Sequence, residues 1–305
     1  CTGVTAILPH GGNLFKEKVT AASYVFNGFG KTTGLVQVNE LGVIESPIML
    51  TNTFGVPAVT HGTLEYMLQQ NPEIGISTGT INIVVGECND SYLNSIRSLP
   101  VTPKHAIEAI RNASEKVVDE GAVGAGKGMI CFGYKGGIGC SSRIVTAENQ
   151  SYTVGCLVLS NFGESIEFRS EQYTTTKGHE NPTMKPVDGS IIIVLATDAP
   201  LSSRQLLRGI KRCGIGLART GSHYSHGSGD IVIGFTTAYK NPHVSNMITE
   251  SRTQLREDHI VMNQLFAAAA EATEEAILNS LSQAVTTTGR NGHVVHSYNW
   301  SPGQK

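Results

Sequence analysis

The sequence is poor in charge, in aromatic residues and in long hydrophobic runs. Of its 305 residues 16% are charged and 6% aromatic, and the formal net charge is −2. No run of Lys or Arg exceeds two residues, so the basic stripe that nucleic acid requires is missing. The strongest apolar run, residues 191–196, is far shorter than the roughly 18 residues that span a bilayer. We therefore expect neither a nucleic-acid partner nor a membrane partner.

Signatures of metal and disulfide chemistry are also absent. The six cysteines form no CxxC pair, which argues against a zinc site or a disulfide scaffold and favours free buried thiols. His223 and His226 form a close histidine pair, and the sequence indicates no third ligand for them. We therefore expect no metal site.

Two familiar catalytic motifs fail on inspection. No GxSxG elbow is present, so an ordinary α/β-hydrolase serine has no support. Residues 121–128 (GAVGAGKG) approach the phosphate loop GxxxxGK[ST], but Gly128 stands where the hydroxyl residue belongs. That run also follows a helical pattern instead of a strand. Tight turns with close backbone packing explain these glycines better than a nucleotide site does.

What is present is an alternation of strand and helix patterns. Short β-branched runs predict strands at residues 34–38, 81–86, 129–132, 152–159, 190–196 and 230–236. Amphipathic windows predict helices at residues 60–70, 103–120, 201–213 and 256–284. Both kinds of element are long enough to cover one another, so a layered α/β protein is expected.

The segment at residues 169–189 differs from the rest because it is polar and nearly free of large aliphatic side chains. It predicts an exposed loop, and the most apolar strand begins directly after it, at Ser190. Ser190 is either a turn serine or a nucleophile freed by self-cleavage of the Gly189–Ser190 bond. In the second case its own α-amino group, which titrates near 7.7–8.0, supplies the base.

Several motifs along the chain resemble one family. They are residues 26–34 (FNGFGKTTG), 40–48 (ELGVIESPI), 51–53 (TNT), 86–90 (GECND), the glycine-rich run 121–142, residues 187–201 (VDGSIIIVLATDAPL) and 227–230 (GSGD). Together they resemble the family of L-aminopeptidase/D-Ala-esterase/amidases and β-peptidyl aminopeptidases, self-cleaving N-terminal-serine hydrolases. The resemblance covers nearly the whole chain in conserved order.

The resemblance implies a single α/β domain over residues 1–305, built as a four-layer αββα sandwich. Such a fold is like that of N-terminal-nucleophile hydrolases but has a different strand topology. It also implies self-cleavage into an α chain of residues 1–189 and a β chain of residues 190–305. The heterodimers are expected to assemble as a homotetramer. The activity implied is release of an N-terminal residue from small peptides, amides or esters that carry a free amino group, with no metal and no organic cofactor.

Roles for individual residues follow from the same resemblance. Ser190 corresponds to the nucleophile, and Gly189 supplies the carbonyl that is attacked during maturation. Asn161 corresponds to the donor to the oxyanion. Ser228 and Asp230 correspond to a Ser-x-acid pair that orients the nucleophile and its amine, although the family often carries Glu where this chain has Asp. A further residue, Tyr92, corresponds to a tyrosine of the substrate pocket.

Two other functions remain open on the sequence. One is acyl transfer of the ornithine acetyltransferase type, which uses a Thr nucleophile on a related fold. The other is an uncleaved binding or assembly protein of the same fold. Family members begin with a further segment before the equivalent of Thr2. We therefore expect that Cys1 stands first only because the sequence is a fragment. A cytoplasmic location is favoured, or a periplasmic one if a signal has been lost.

Overall fold

The structure is a computed structural model, and it describes residues 1–173 and 189–299. The strands of these ranges are β1 (Thr5–Ile7), β2 (Glu17–Gly28), β3 (Thr32–Thr33), β4 (Val43–Ile44), β5 (Ile48–Asn52), β6 (Val84–Cys88), β7 (Ile130–Cys131), β8 (Tyr134–Lys135), β9 (Gly137–Ala147), β10 (Gln150–Asn161), β11 (Ser190–Thr197), β12 (Gly229–Pro242), β13 (Thr287–Thr288) and β14 (Val294–Val295). The α-helices are α1 (Leu35–Leu41), α2 (Val56–Gln70), α3 (Pro103–Asn112), α4 (Ser203–Ile210), α5 (Cys213–Thr220) and α6 (Val261–Ser282).

Two sheets dominate the architecture. The larger has six strands in the order β4-β2-β12-β11-β10-β9, and the smaller has four in the order β1-β5-β6-β3. In the larger sheet β11 runs parallel to β12 and antiparallel to β10. The first residue of β11 therefore lies at the same sheet edge as the last residue of β10 and the first residue of β12.

Three hydrophobic cores separate four layers. The central core joins the two sheets through side chains such as Leu50 and Val84 of the small sheet and Ile192 of the large one. A second core packs the small sheet against α2 and α3, and a third packs the large sheet against α4, α5 and α6. Alternate side chains of one strand feed different cores, as strand geometry requires. The predicted four-layer αββα sandwich is confirmed.

The strand predicted at residues 34–38 is wrong, since these residues begin helix α1. Gly34 and Gly42 flank the helix in the left-handed conformation, with φ of 78° and 66°. Leu35 and Val38, three residues apart, are the positions it buries. The β-branched composition favoured a strand, but the spacing of the buried residues and the glycine ends decide for a helix.

Other predicted elements exist with altered bounds. The strands at 152–159, 190–196 and 230–236 lie within β10, β11 and β12, while those at 81–86 and 129–132 overlap β6 and β7 only in part. The window 201–213 divides into α4 and the start of α5. The helix predicted at 103–120 stops at Asn112, and the apolar residues that follow gain no burial from the described part of the chain, where Val117 is 98% exposed. Of the predicted loop, residues 174–188 lie outside the described residues.

The glycines of the run 121–142 pack against backbone atoms, as predicted for residues 121–128. A Cβ at Gly126 would lie 2.6 Å from the carbonyl oxygen of Gly121, and one at Gly139 would lie 2.0 Å from that of Ala276 in α6. Strand β9, which sequence patterning missed, is glycine-rich because α6 crosses it at backbone distance. No helix within residues 1–173 and 189–299 is long and apolar enough to cross a membrane.

Candidate active site

The site lies where three strands of the large sheet meet at one edge. Asn161 ends β10, Ser190 begins β11 and Gly229 begins β12. Ser190 is the register partner of both Asn161 and Gly229. Directly opposed residues place their side chains on one face, so Asn161 and Ser190 share the face that looks towards the small sheet. Both side chains are buried.

One backbone N–H contacts groups on both sides of the Gly189–Ser190 bond. The N–H of Gly229 lies 3.2 Å from the carbonyl oxygen of Gly189 and 3.2 Å from Oγ of Ser190. A Cβ at position 189 would stand 2.5 Å from Cα of Phe162 and 2.8 Å from the carbonyl oxygen of Asn161. Only glycine therefore fits before the serine.

The Asn161 side chain is held on both of its polar atoms. The N–H of Ile130 donates to its Oδ1 at 2.8 Å, and its Nδ2 donates to the carbonyl of Asn89 at 3.0 Å. A backbone N–H can only donate, so the oxygen faces Ile130 and the amide nitrogen faces away. Nδ2 carries a second hydrogen that has no acceptor in the described part of the chain. That hydrogen is a free donor on the face of Ser190.

Ser228 and Asp230 form a buried pair at the start of β12. Ser228 Oγ donates to Oδ1 of Asp230 at 2.7 Å, while Oδ2 of Asp230 has no hydrogen-bond partner among residues 1–173 and 189–299. Burial raises the pKa of Asp230 to about 6, and the bond from Ser228 opposes that rise. A buried carboxylate oxygen without a partner is costly, and a hydrogen-bond donor beside it would remove that cost.

Register places the Asp230 carboxyl on the other face of the sheet from the Ser190 hydroxyl. Asp230 pairs with Ile191, and Ile191 belongs to the core under α5 and α6. The main-chain nitrogen of Ser190 lies in the plane of the sheet, between the two faces. An amine created there could be approached by Asp230 from one side and by the Ser190 hydroxyl from the other.

Tyr92 contacts His293. Its ring stacks on the imidazole of His293 with centroids 4.5 Å apart, and its carbonyl accepts a hydrogen bond from Nδ1 of His293 at 2.9 Å. No hydrogen bond in the described ranges joins Tyr92 to Ser190 or Asn161. Its assignment to the substrate pocket stays a prediction.

Glu87 is a buried carboxylate to which sequence reasoning gave no role. Its Oε1 accepts a hydrogen bond from the N–H of Lys31 at 2.9 Å, and its Oε2 accepts one from Thr53. A Cβ at Gly30 would lie 3.8 Å from Oε1 and 3.3 Å from Cα of Gly229. Glu87 therefore reaches the edge of the site across Gly30. The only signal in the sequence was its place in the motif at residues 86–90.

Asn27 is a second residue that sequence reasoning left without a role. Its amide donates to the carbonyl of Ser228 and, at 3.0 Å, to that of Ser225. The side chain thus fixes the turn that delivers Ser228 and Asp230 to the site. The sequence signal for Asn27 was its position in the motif at residues 26–34.

Within residues 1–173 and 189–299 no group of three or more His, Cys, Asp or Glu side chains is arranged to hold a metal ion.

Comparisons with known proteins agree on one family. The model of Peptidase family S58 matches residues 1–295. Beta-peptidyl aminopeptidase BapA of Sphingosinicella microcystinivorans is 38% identical over 310 residues, which cover 96% of this chain and 76% of that protein.

Solved structures are similar over nearly the same span. The PH0078 protein of Pyrococcus horikoshii OT3 matches with a TM-score of 0.88 and 48% identity, covering 97% of this chain and 82% of that one. The L-aminopeptidase D-Ala-esterase/amidase of Ochrobactrum anthropi, described as a prototype of the serine aminopeptidases and a new variant of the Ntn hydrolase fold, matches with a TM-score of 0.87 and 32% identity. The match covers 97% of this chain and 82% of that one.

The family model spans nearly all of the chain, and the Sphingosinicella and Ochrobactrum proteins that resemble it are described as aminopeptidases. The chain belongs to peptidase family S58 and is a hydrolase of the serine aminopeptidase type.

Proposed function

We propose that this protein matures by cutting its own Gly189–Ser190 bond and then releases N-terminal residues from small peptides, amides or esters. One observation carries the proposal. The carbonyl of Gly189 and the hydroxyl of Ser190 share the N–H of Gly229, in a position where only glycine fits before the serine.

Maturation proceeds by an N-to-O acyl shift. Oγ of Ser190 attacks the Gly189 carbonyl carbon, and the N–H of Gly229 stabilises the charge that develops on the oxygen. The C–N bond breaks, the hydroxyl proton passes to the departing nitrogen, and an ester remains. Water hydrolyses the ester, which leaves a carboxylate on Gly189 and a free amine on Ser190. Asp230, whose Oδ2 has no partner among residues 1–173 and 189–299, then accepts a hydrogen bond from that neutral amine.

In the mature enzyme the freed amine is the general base. It accepts the proton of the Ser190 hydroxyl, and Oγ attacks the carbonyl carbon of the substrate. The uncommitted hydrogen on Nδ2 of Asn161 stabilises the oxyanion. The N–H of Gly229 also becomes available, because the Gly189 carbonyl it held has moved away. The amine or alcohol leaves with a proton, and water releases the acyl group from Ser190.

Glu87 supplies the charge that recognises a substrate amine. It is 3% exposed and sits across Gly30 from the start of β12, on the side of the site opposite Asp230. A substrate ammonium can displace water there and pair with the carboxylate. In this proposal Asp230 binds the enzyme's own amine and Glu87 binds the amine of the substrate.

Steady-state rates on p-nitroanilides of L-Ala, D-Ala and β-Ala test the activity and identify the preferred residue. The matched control is the N-acetyl derivative of each substrate, which lacks the ammonium. We expect hydrolysis of at least one free amide by the wild type, with none by Ser190→Ala. Equal rates on free and acetylated amides would refute the aminopeptidase assignment.

The assembly that we propose is a homotetramer of α/β heterodimers, supported by the resemblance and by exposed apolar side chains. Met247 and Ile248, in the segment that follows β12, are 75% and 102% exposed. Light scattering should give four times the mass of the 32.5 kDa chain. A mass of one chain equivalent would refute the tetramer.

A further inference from the structure

Lys135 is a buried cation that the mechanism above does not use. It is completely buried, and it pairs with no carboxylate in the described part of the chain. Its Nζ instead donates to three backbone carbonyls, those of Gly126 at 2.8 Å and of Met129 and Gly136 at 2.7 Å. Lysine is almost never fully buried without a partner, so a cation placed here requires an explanation.

One of the three carbonyls connects Lys135 to Asn161. The carbonyl of Met129 and the N–H of Ile130 belong to the same peptide group. Lys135 donates to the oxygen of that peptide, and the peptide donates through its N–H to Oδ1 of Asn161 at 2.8 Å. The peptide plane is thus fixed from both sides, and so is the orientation of the Asn161 amide.

The same connection transmits charge. A cation at a carbonyl oxygen draws electron density through the amide and makes its N–H a stronger donor. The N–H of Ile130 then does the same to the Asn161 amide, which shares a face of the sheet with Ser190. The positive charge of Lys135 therefore polarises two amides in series, and the second of them is the donor to the oxyanion.

We propose that Lys135 is a positioning residue for the oxyanion donor, acting on Asn161 through the Met129–Ile130 peptide. The proposal rests on the proposed function, since it requires Asn161 to stabilise an oxyanion. Burial lowers the pKa of the Lys135 ammonium to about 7, while the three carbonyls favour the charged form. Carbonyl oxygens can only accept hydrogen bonds, so three of them around Nζ favour the ammonium over the neutral amine.

The kinetic test compares Lys135→Met with Asn161→Ala and with the double variant. Rates are normalised to the amount of cleaved β chain. We expect Lys135→Met to lower kcat by roughly ten- to a hundredfold, less than the 10²–10³ that loss of an oxyanion donor costs. KM should stay within about threefold. In the Asn161→Ala background the same substitution should change kcat by less than about twofold, because its target is gone.

A matched control separates positioning from loss of a buried charge. Lys18 is also largely buried, and its Nζ pairs with Glu45 at 2.7 Å. It lies ten residues from Gly28 along β2, roughly 30 Å from the site. Lys18→Met should lower thermal stability but leave kcat within about twofold. An equal fall of kcat on Lys135→Met in both backgrounds would overturn the proposal, as would an unchanged kcat.

A second measurement needs no cleavage and no activity. In Ser190→Ala protein, where no variant matures, hydrogen–deuterium exchange is followed in peptides that cover residues 129–135. We expect Lys135→Met to speed exchange of the Ile130 amide by about tenfold or more, with exchange in β11 unchanged and with no effect of Lys18→Met. Unchanged exchange at Ile130 would overturn the proposal. If the wild type hydrolyses no amide, the proposed function fails while this exchange result still decides what Lys135 holds.

Discussion

At the scale of single residues, the site depends on charges buried without full compensation. Asp230 is fully buried and has one hydrogen bond to share between two carboxylate oxygens. Its pKa stands at about 6 because burial disfavours the ionised form. Burying a carboxylate without full hydrogen bonding costs stability. Groups of this kind are concentrated at functional sites, where that cost is tolerated.

The cost is measurable through the pH dependence of stability. The folded-state pKa of Asp230 lies above its unfolded value, so its favourable contribution is present at low pH and is lost as pH rises from about 4 through 6. In uncleaved Ser190→Ala protein, Asp230→Asn should remove this loss. The stability of the double variant relative to Ser190→Ala should increase by up to about 3 kcal/mol between pH 4 and pH 7. Urea unfolding at both pH values measures it, and a difference that does not change with pH would contradict the buried ionisation.

Glu87→Gln tests the carboxylate assigned to the substrate. The amide keeps the size, its oxygen can still accept from the N–H of Lys31 and its nitrogen can donate to the Thr53 hydroxyl, but it loses the charge that pairs with an ammonium. We expect KM for a free amino-acid p-nitroanilide to rise by roughly ten- to a hundredfold, with kcat less affected, because a hydrogen bond to a charged group contributes about 1.5–3 kcal/mol. The control is Glu65→Gln, on an exposed face of α2. Unchanged KM in Glu87→Gln would remove this residue from substrate binding.

Sequence reasoning located the residues that belong to recognisable local patterns and missed those defined by contacts. Ser190 stands at a sharp change from polar to apolar sequence, and Asn161 and Asp230 end or begin strands with clear patterning. Lys135 and Glu87 have no comparable signal. Their significance comes from backbone groups supplied by distant segments, such as the N–H of Lys31 for Glu87. No spacing within one segment indicates such a meeting.

At the scale of elements, the junction before β11 is fixed by close backbone packing. Gly189→Ala would place a Cβ 2.5 Å from Cα of Phe162, so the scissile carbonyl must move. A displacement near 1 Å is enough to cost about a hundredfold in rate, and we expect self-cleavage to slow by about that factor. The time course of cleavage on a denaturing gel measures it.

Gly209→Ala is the control for that experiment. Gly209 lies inside α4, and a Cβ there meets nothing within 4 Å. This variant should cleave at the wild-type rate and gain about 0.5–1 kcal/mol of stability, because alanine favours a helix over glycine. Wild-type cleavage by Gly189→Ala would show that close packing does not position the bond.

The elements themselves were predictable where burial follows a simple period. Strands β10, β11 and β12 have apolar runs that feed two cores, and their predicted positions are confirmed. Strand β9 was missed because its glycines serve α6, which is distant in sequence. The β-branched composition of helix α1 predicts a strand. The glycines at its ends, Gly34 and Gly42 in the left-handed conformation, decide for a helix instead.

At the scale of the whole molecule, the proposed α and β chains are interleaved in one sheet. Strands β11 and β12 of the β chain lie between β2 and β10 of the α chain. Cleavage at one sheet edge would break none of these ladders. The two chains should therefore co-elute in size-exclusion chromatography and separate only in denaturant. Elution of residues 190–305 alone, without denaturant, would contradict this topology.

The central claim is that Ser190 becomes an N-terminal nucleophile by cutting the bond before it. Intact-mass spectrometry of purified wild type and Ser190→Ala under denaturing conditions tests it most directly. The wild type should give two polypeptides, residues 1–189 and residues 190–305, with the second beginning at Ser190. Ser190→Ala should give one chain of 32.5 kDa. A fully active wild type that remains a single 32.5 kDa chain would contradict the account, as would cleavage at the same bond in Ser190→Ala.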